Sequence, residues 1–224
     1  STLIDACSTP ATMASGNPAG LFHGTVNPQD GAHARFNRAA ALQARWAVQR
    51  AIDQHGALGS TQGLLRLEDK RPLAAMQGLI DTLQLPPDYV QALDAAEASA
   101  RCGLRLSQPA WFYPGGGWVQ PAALARWFLQ RSGSATTFRG GLAVQSLQLA
   151  DGRWQLLDGS GSVIAEAATV VLANAFDALR LLQATGIPEY RDPVANAVAA
   201  LAAGNDLLLG VMFSDANTAD ALID

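Results

Sequence analysis

Cysteine is nearly missing from this sequence: Cys7 and Cys102 are the two thiols in 224 residues. That excludes a disulfide scaffold and fits a reducing compartment, so a cytoplasmic protein is expected. Lysine is as scarce. Lys70 stands alone among 15 Lys and Arg residues. Arginine's rigid fork suits phosphates and carboxylates, but a GC-rich genome favouring Arg and Ala codons is the simpler reason. Excess positive charge is absent: a net charge of −4 and a pI near 5.3 exclude a coat that holds nucleic acid by bulk charge. No apolar run is long and clean enough for lipid, because Asn196, Asn205 and Asp206 interrupt Ala195 to Phe213, and no membrane partner is expected. The opening Ser1-Thr2-Leu3-Ile4-Asp5 has no basic region and no signal-peptide core. His23, His33 and His55 lack cysteines or carboxylates at ligand spacing, so no metal site is expected. His33 and Asp30 flank a helix start, as capping residues do. There is no Gly-x-Ser-x-Gly elbow and no Cys-x-x-Cys pair.

What is present is enough for a core. Apolar residues make up 49% and charged residues 15%, which excludes disorder as the main state. A chain of this length forms one or two domains and buries roughly 70% of its unfolded surface.

Residues 1–6 read as a short buried strand ending in an acid, followed by a small-residue loop over 8–20. A helix is expected from Gly31 to His55, with Phe36, Ala40, Ala44, Ala47 and Ala51 on one face and Arg35, Arg38, Arg45 and Gln49 opposite. That arginine face could meet phosphates, although a solvated face is the commoner explanation. Leu64 to Leu67 reads as a strand. Pro72 opens a helix with a Leu73, Met76, Leu79, Ile80, Leu83 stripe through Leu85. Another helix is expected from Asp88 to Ala95. The carboxylates of Asp94 and Glu97 lie one turn apart and read as solvated. Trp111-Phe112-Tyr113 is a strand, and Pro121 opens a helix to Arg131.

Further on, Leu142 to Leu149 alternates, Asp151-Gly152 turns, Arg153 to Leu157 returns and Ser162 to Glu166 adds a third strand. Thr169 to Asn174 reads as a strand buried on both faces. A helix from Phe176 to Thr185 comes next, then two strands within 193–213 that turn at Gly204-Asn205, and a polar tail from Ser214 to Asp224. The fold class is therefore mixed, α/β with α+β: an α/β core, a β-meander and antiparallel elements.

The glycine fingerprint of dinucleotide binding is absent. Gly159-Ser-Gly161 lies between strands and reads as a turn, and Gly115-Gly116-Gly117 has the wrong spacing. The second strand of such a fold, however, has a counterpart here. In these folds that strand ends in an acid that binds the adenosine ribose, and Asp5 stands there. Spacing alone leaves Asp5 equally a ribose ligand or a turn residue. The small-residue loop after it is the kind of backbone that approaches phosphates closely.

Several stretches carry a family resemblance: Ala14-Ser15-Gly16-Asn17-Pro18-Ala19-Gly20-Leu21-Phe22-His23-Gly24 with Ala34-Arg35-Phe36, then Leu93 to Ala98, Pro109 to Val119, Pro121 to Leu124, and Val170 to Ala175. Gly210-Val211-Met212-Phe213 matches more loosely. The chain resembles the C-terminal FAD-dependent oxidoreductase module of the bifunctional bacterial tRNA wobble-uridine modification proteins, the MnmC family of the D-amino-acid-oxidase superfamily. The resemblance implies a D-amino-acid-oxidase-like fold that binds FAD, with the α/β part a partial FAD-binding Rossmann-type layer. It implies oxidation of the C–N bond of carboxymethylaminomethyl-uridine in tRNA, imine hydrolysis, and an aminomethyl product. Asp5 would hold the adenosine ribose. Ser15, Gly16, Asn17, Ala19 and Gly20 would line the flavin and pyrophosphate. Val144 would meet the adenine through backbone, and Ala173-Asn174 would pass near the adenosine. No catalytic acid or base is assigned.

The implied domains are discontinuous: 1–56 with 115–190 for FAD, and 57–114 with 191–224 for substrate. The implied partners are tRNA, through its modified wobble uridine, and the family's tRNA methyltransferase module. The fingerprint, its first strand and the methyltransferase half lie outside these residues, and the family pattern is shortened near Tyr190-Arg191-Asp192. A partial copy of the module is therefore expected, which leaves open whether the chain is itself an enzyme. Two other readings stand beside it: a non-catalytic remnant serving as an interaction module, and a flavin amine oxidase for a small amino acid.

Overall fold

The computed structural model describes residues 1–174, 177–185 and 207–209. In chain order the elements are β1 (Thr2–Ile4), β2 (Gly20–Phe22), α1 (Ala32–His55), β3 (Gly59–Ser60), β4 (Leu64–Leu67), α2 (Leu73–Leu83), β5 (Gln91–Leu93), α3 (Ala95–Cys102), β6 (Ala110–Tyr113), β7 (Gly117–Val119) and α4 (Pro121–Ser132). They continue with β8 (Thr137–Arg139), β9 (Ser146–Ala150), β10 (Arg153–Leu157), β11 (Val163–Ala167), β12 (Val170–Leu172), α5 (Asp177–Ala184) and β13 (Leu207–Leu209). They form two compact units. One holds Ser1–Thr9 and the described residues from Thr137 onward, and the other holds Pro10–Thr136.

In the first unit the meander obeys its sequence pattern. Asp151 and Gly152 both take left-handed backbone (φ 50° and 73°), as a two-residue hairpin requires, and pair Arg153 with Ala150. Alternation then sends Leu147, Trp154 and Leu156 inward. They pack with Val170, Leu172, Ala178, Leu181 and Leu182. Strand β1 pairs in parallel with β8, and β12 with β13. Two burial expectations are corrected here. In β1, Thr2 and Leu3 are exposed (Leu3 40%) and only Ile4 is half-buried, while in β12 Val171 is 56% exposed between buried Val170 and Leu172, so β12 buries one face. The expected strands within 193–213 are described only at Leu207–Leu209, and the Gly204-Asn205 turn, Gly210–Phe213 and the tail lie outside the described residues.

The second unit holds two three-stranded sheets, ordered β2-β7-β3 and β4-β6-β5. Strand β6 is central, and its residues are buried throughout. Trp111 and Tyr113 pack with Met76, Ile80 and Val90. Phe112, on the opposite face, packs with Leu93 and Ala98. Gly117 begins β7 where a Cβ would fall 1.9 Å from the Ser60 carbonyl oxygen, so only glycine permits this pairing with β3.

The helix expected over 88–95 is absent. Pro86 closes a single turn with Tyr89 and Val90, and β5 comes directly after. Helix α3 instead starts after Asp94, whose carboxylate accepts from the Glu97 N–H while Glu97 accepts from the Asp94 N–H. This capping box uses the two carboxylates that spacing alone read as solvated. On α1 the buried residues are Ala34, Ala47, Val48 and Ala51, whereas Phe36 is 73% exposed and Ala40 is also exposed. Arg38 turns to the half-buried side and pairs with Asp30 at 2.5 Å. Asp30 therefore acts as an ion-pair partner, and the helix is capped by Gly31 without a side-chain bond.

Candidate functional site

Four of the expected site residues, Asp5, Val144, Ala173 and Asn174, lie in the first unit. Asp5 comes just after β1, at its carboxyl end. Its N–H donates to the Arg139 carbonyl (3.2 Å) and its carbonyl accepts from Leu142 N–H (3.0 Å). The Cys7 N–H donates to Asp5 Oδ1 at 2.8 Å, so the side chain stabilises its own turn and is held in one orientation. Ile4 and Val144 pack against the same core cluster. The Val144 carbonyl accepts from Arg180 Nη2 (3.1 Å), and the Gln145 carbonyl from Nη1 (2.7 Å).

Arg180 also grips Asp177 with two nitrogens, at 2.6 and 2.7 Å, and its hydrogen bond lowers the pKa of that carboxyl. Asn174 donates to Asp177 Oδ2 (3.2 Å) where β12 gives way to α5; Ala173 and Asn174 are exposed. Arg180 is the positioning residue that sequence reasoning missed. Its Asp-x-x-Arg spacing on α5 was the available signal.

The other five lie in the second unit. Ala14–Gly16 forms one 3-10 turn, closed by Gly16 N–H to the Met13 carbonyl (2.8 Å) and lying against α4. Ser15 is half-buried, Gly16, Asn17 and Ala19 are exposed, and Gly20 enters β2 opposite Val119. A Cβ on Gly20 would sit 3.0 Å from the Pro121 ring, which keeps that position small.

Next in the chain, His23 Nδ1 meets the Gly24 carbonyl at 2.5 Å, and its ring lies 4.9 Å from that of Tyr113. Burial pushes the Tyr113 phenol up to about 12. The Tyr89 hydroxyl accepts from Thr25 N–H (2.7 Å) and donates to the Thr25 carbonyl (3.0 Å), while burial raises its pKa. Glu68 follows β4 directly and is buried. Burial alone would raise its pKa, but hydrogen bonds from Trp111 Nε1, Lys70 N–H and Arg71 together hold it below the ordinary value.

The first unit, taken by itself, offers the carboxylate and backbone groups that an adenosine moiety calls for. Ligands of parallel sheets sit beyond the carboxyl ends of the strands, where Asp5 and Ala173-Asn174 both lie. The Val144 carbonyl is already engaged, which leaves its N–H side for a base. The exposed turn at 15–19 offers backbone without bulky side chains, as a diphosphate requires. Among the described residues no group of three or more His, Cys, Asp or Glu could hold a metal ion, and no helix is long and apolar enough to cross a membrane.

Residues 1–209 match the family described as DAO, FAD dependent oxidoreductase. The chain is 45% identical over 180 residues to the tRNA 5-methylaminomethyl-2-thiouridine biosynthesis bifunctional protein MnmC of Methylibium petroleiphilum. That match covers 80% of this chain and 27% of that protein. It is 36% identical over 174 residues to the MnmC of Paraburkholderia phytofirmans, covering 76% and 26%. The chain thus spans about a quarter of the length of these relatives.

Among solved structures, glycine oxidase from Geobacillus kaustophilus superposes with a TM-score of 0.60 at 18% identity, over 83% of this chain and 51% of that one. Iminodiacetate oxidase from Chelativorans sp. BNC1 does so with a TM-score of 0.54 at 25% identity, over 82% and 57%.

Proposed function

The chain belongs to the FAD-dependent oxidoreductase family, and from that premise we propose that it is the flavin-binding portion of a tRNA-modifying protein. The proposed reaction is oxidation of the C–N bond of carboxymethylaminomethyl-uridine at the wobble position. The observation that carries the reading is the likeness to MnmC sequences over most of the chain. Iminodiacetate oxidase supports it chemically, since iminodiacetate bears the same N-carboxymethyl group.

Bound FAD supplies the two-electron acceptor for this oxidation. Hydrolysis of the resulting substrate imine leaves aminomethyl-uridine and releases the two carboxymethyl carbons as glyoxylate. The chain's own residues bind and orient. Asp5, steadied by Cys7 N–H, would accept from the ribose hydroxyls. Arg180 would hold the Val144–Gln145 segment ahead of β9 so that the Val144 N–H side faces the adenine, with Ala173 and Asn174 beside the adenosine. Ser15, Gly16, Asn17, Ala19 and Gly20 would offer backbone to the diphosphate and ring. Residues 1–56 and 115–190 would serve the cofactor, 57–114 and 191–224 the substrate. A tRNA methyltransferase module would be the partner, in the cytoplasm.

The test incubates the protein with FAD and tRNA carrying the modified uridine, then digests the tRNA for nucleoside analysis. Aminomethyl-uridine and glyoxylate should appear in equal amounts. Turnover of glycine or sarcosine with none on the tRNA would replace this reading with a small-amine oxidase. No turnover of either would leave a non-catalytic module.

A further inference from the structure

The chain carries a net charge of −4, yet two of its helices are strongly basic. Helices α1 and α4 hold Arg35, Arg38, Arg45, Arg50, Arg126 and Arg131 against one acid, Asp53. Arg38 is taken up by Asp30. Among the described residues Arg45, Arg50, Arg126 and Arg131 have no carboxylate within ion-pair distance.

Aromatic rings lie between these arginines. The Arg50 guanidinium is 5.0 Å from the centroid of Trp46, and that of Arg131 is 5.7 Å from it and 5.0 Å from the Trp127 centroid. Trp127 is fully buried and anchors the group, with its ring 6.4 Å from Trp46 and 4.7 Å from Phe128. Trp46 and Phe128 remain 43% and 51% exposed. A shallow groove along α1, lined by Leu42, Arg45, Trp46, Gln49, Arg50 and Asp53, continues the patch, with the Asp53 carboxylate accepting from Gln49 Nε2 at 2.8 Å.

We propose that this face of α1 and α4 binds a looped, single-stranded segment of RNA. Guanidinium groups pair with phosphates and stack on bases, and exposed aromatic rings give unpaired bases a platform. An acidic protein surface could also meet arginines and rings, and it is an outcome of the test; the alternation of exposed rings with guanidinium groups matches the spacing of bases and phosphates along a single strand. The acidic remainder of the chain repels a polyanion and so favours contact on this face. The inference takes only its class of partner from the proposed function.

The test uses the full chain without flavin and a fluorescein-labelled, unmodified RNA hairpin with an unpaired loop, read by fluorescence anisotropy. Saturable binding is expected. Three or four phosphate contacts give a log–log salt slope of roughly −2 to −3. R50E and R131E should each weaken binding about ten-fold and flatten that slope. W46L should weaken binding with the slope unchanged, because it removes a ring and no charge. R153E, on β10 in the other unit, should leave binding unchanged, and circular dichroism should show all four variants folded.

Binding that is indifferent to both R50E and R131E would overturn the proposal. So would absence of hairpin binding, including the case in which an acidic protein surface takes this face instead and the case in which the chain self-associates and R50E disperses it, which would make the face a contact between copies. Hairpin binding on this face without oxidation of the wobble uridine would break the proposed function and leave this surface standing. Oxidation untouched by R50E and R131E would do the reverse.

Discussion

Strand β6 and strand β1 come from the same chain and meet opposite surroundings. The four residues of β6 are all buried, with partners on both edges and core clusters on both faces. Strand β1 is paired only with β8 among the described residues, and Leu3 is 40% exposed. The difference separates two uses of sequence. Side chains of β6 supply stability. Strand β1 contributes mainly its carboxyl end, where a turn holds Asp5.

Removing side chains from the two strands tests that contrast. Trp111→Ala should cost about 3–5 kcal/mol in urea unfolding, because it empties a buried site and strips a hydrogen bond from Glu68. Leu3→Ala should cost under about 1 kcal/mol, since little of that side chain is withdrawn from water. Equal losses would break the comparison.

Glu68→Gln sharpens it. The substitution should cost about 1–3 kcal/mol at pH 7 by weakening charge-assisted bonds to Trp111 and Arg71. The folded pKa of Glu68 lies below the ordinary value of 4.5. Its stabilisation is therefore present above that value and is lost as pH falls through the lowered one. The gap between wild type and variant should close in acid. Asp94→Ala should cost about 1 kcal/mol by opening the α3 capping box.

Local chemistry decided how much was legible. The meander was readable because Asp151-Gly152 demands one backbone shape and the flanking residues alternate. The start of α4 was readable from Pro121. The stretch 88–95 misled because Asp88 and the alanines favour helix, whereas packing of Val90 and Leu93 beside β6 wins and the Asp94–Glu97 box restarts the helix later. The face of α1 misled for a related reason. An alanine-rich helix has two plausible buried stripes, and the tertiary partners chose Ala34, Ala47, Val48 and Ala51 over Phe36.

At the candidate site, Asp5 was visible as an acid closing a strand. Its bond from Cys7 N–H establishes the turn role, and the ribose role is the proposed one. Arg180 stayed hidden because its targets, the carbonyls of Val144 and Gln145, are backbone atoms 36 and 35 residues away in sequence.

Titration of the full chain with FAD, monitored through the change in the visible flavin spectrum, tests the central claim most directly. Saturable binding should weaken about ten-fold or more in Asp5→Ala, a loss of about 1.4 kcal/mol, with binding unchanged in Asp94→Ala. Binding equally tight with and without the Asp5 carboxylate, or no saturable change in the spectrum at all, would contradict the assignment of that turn to the cofactor.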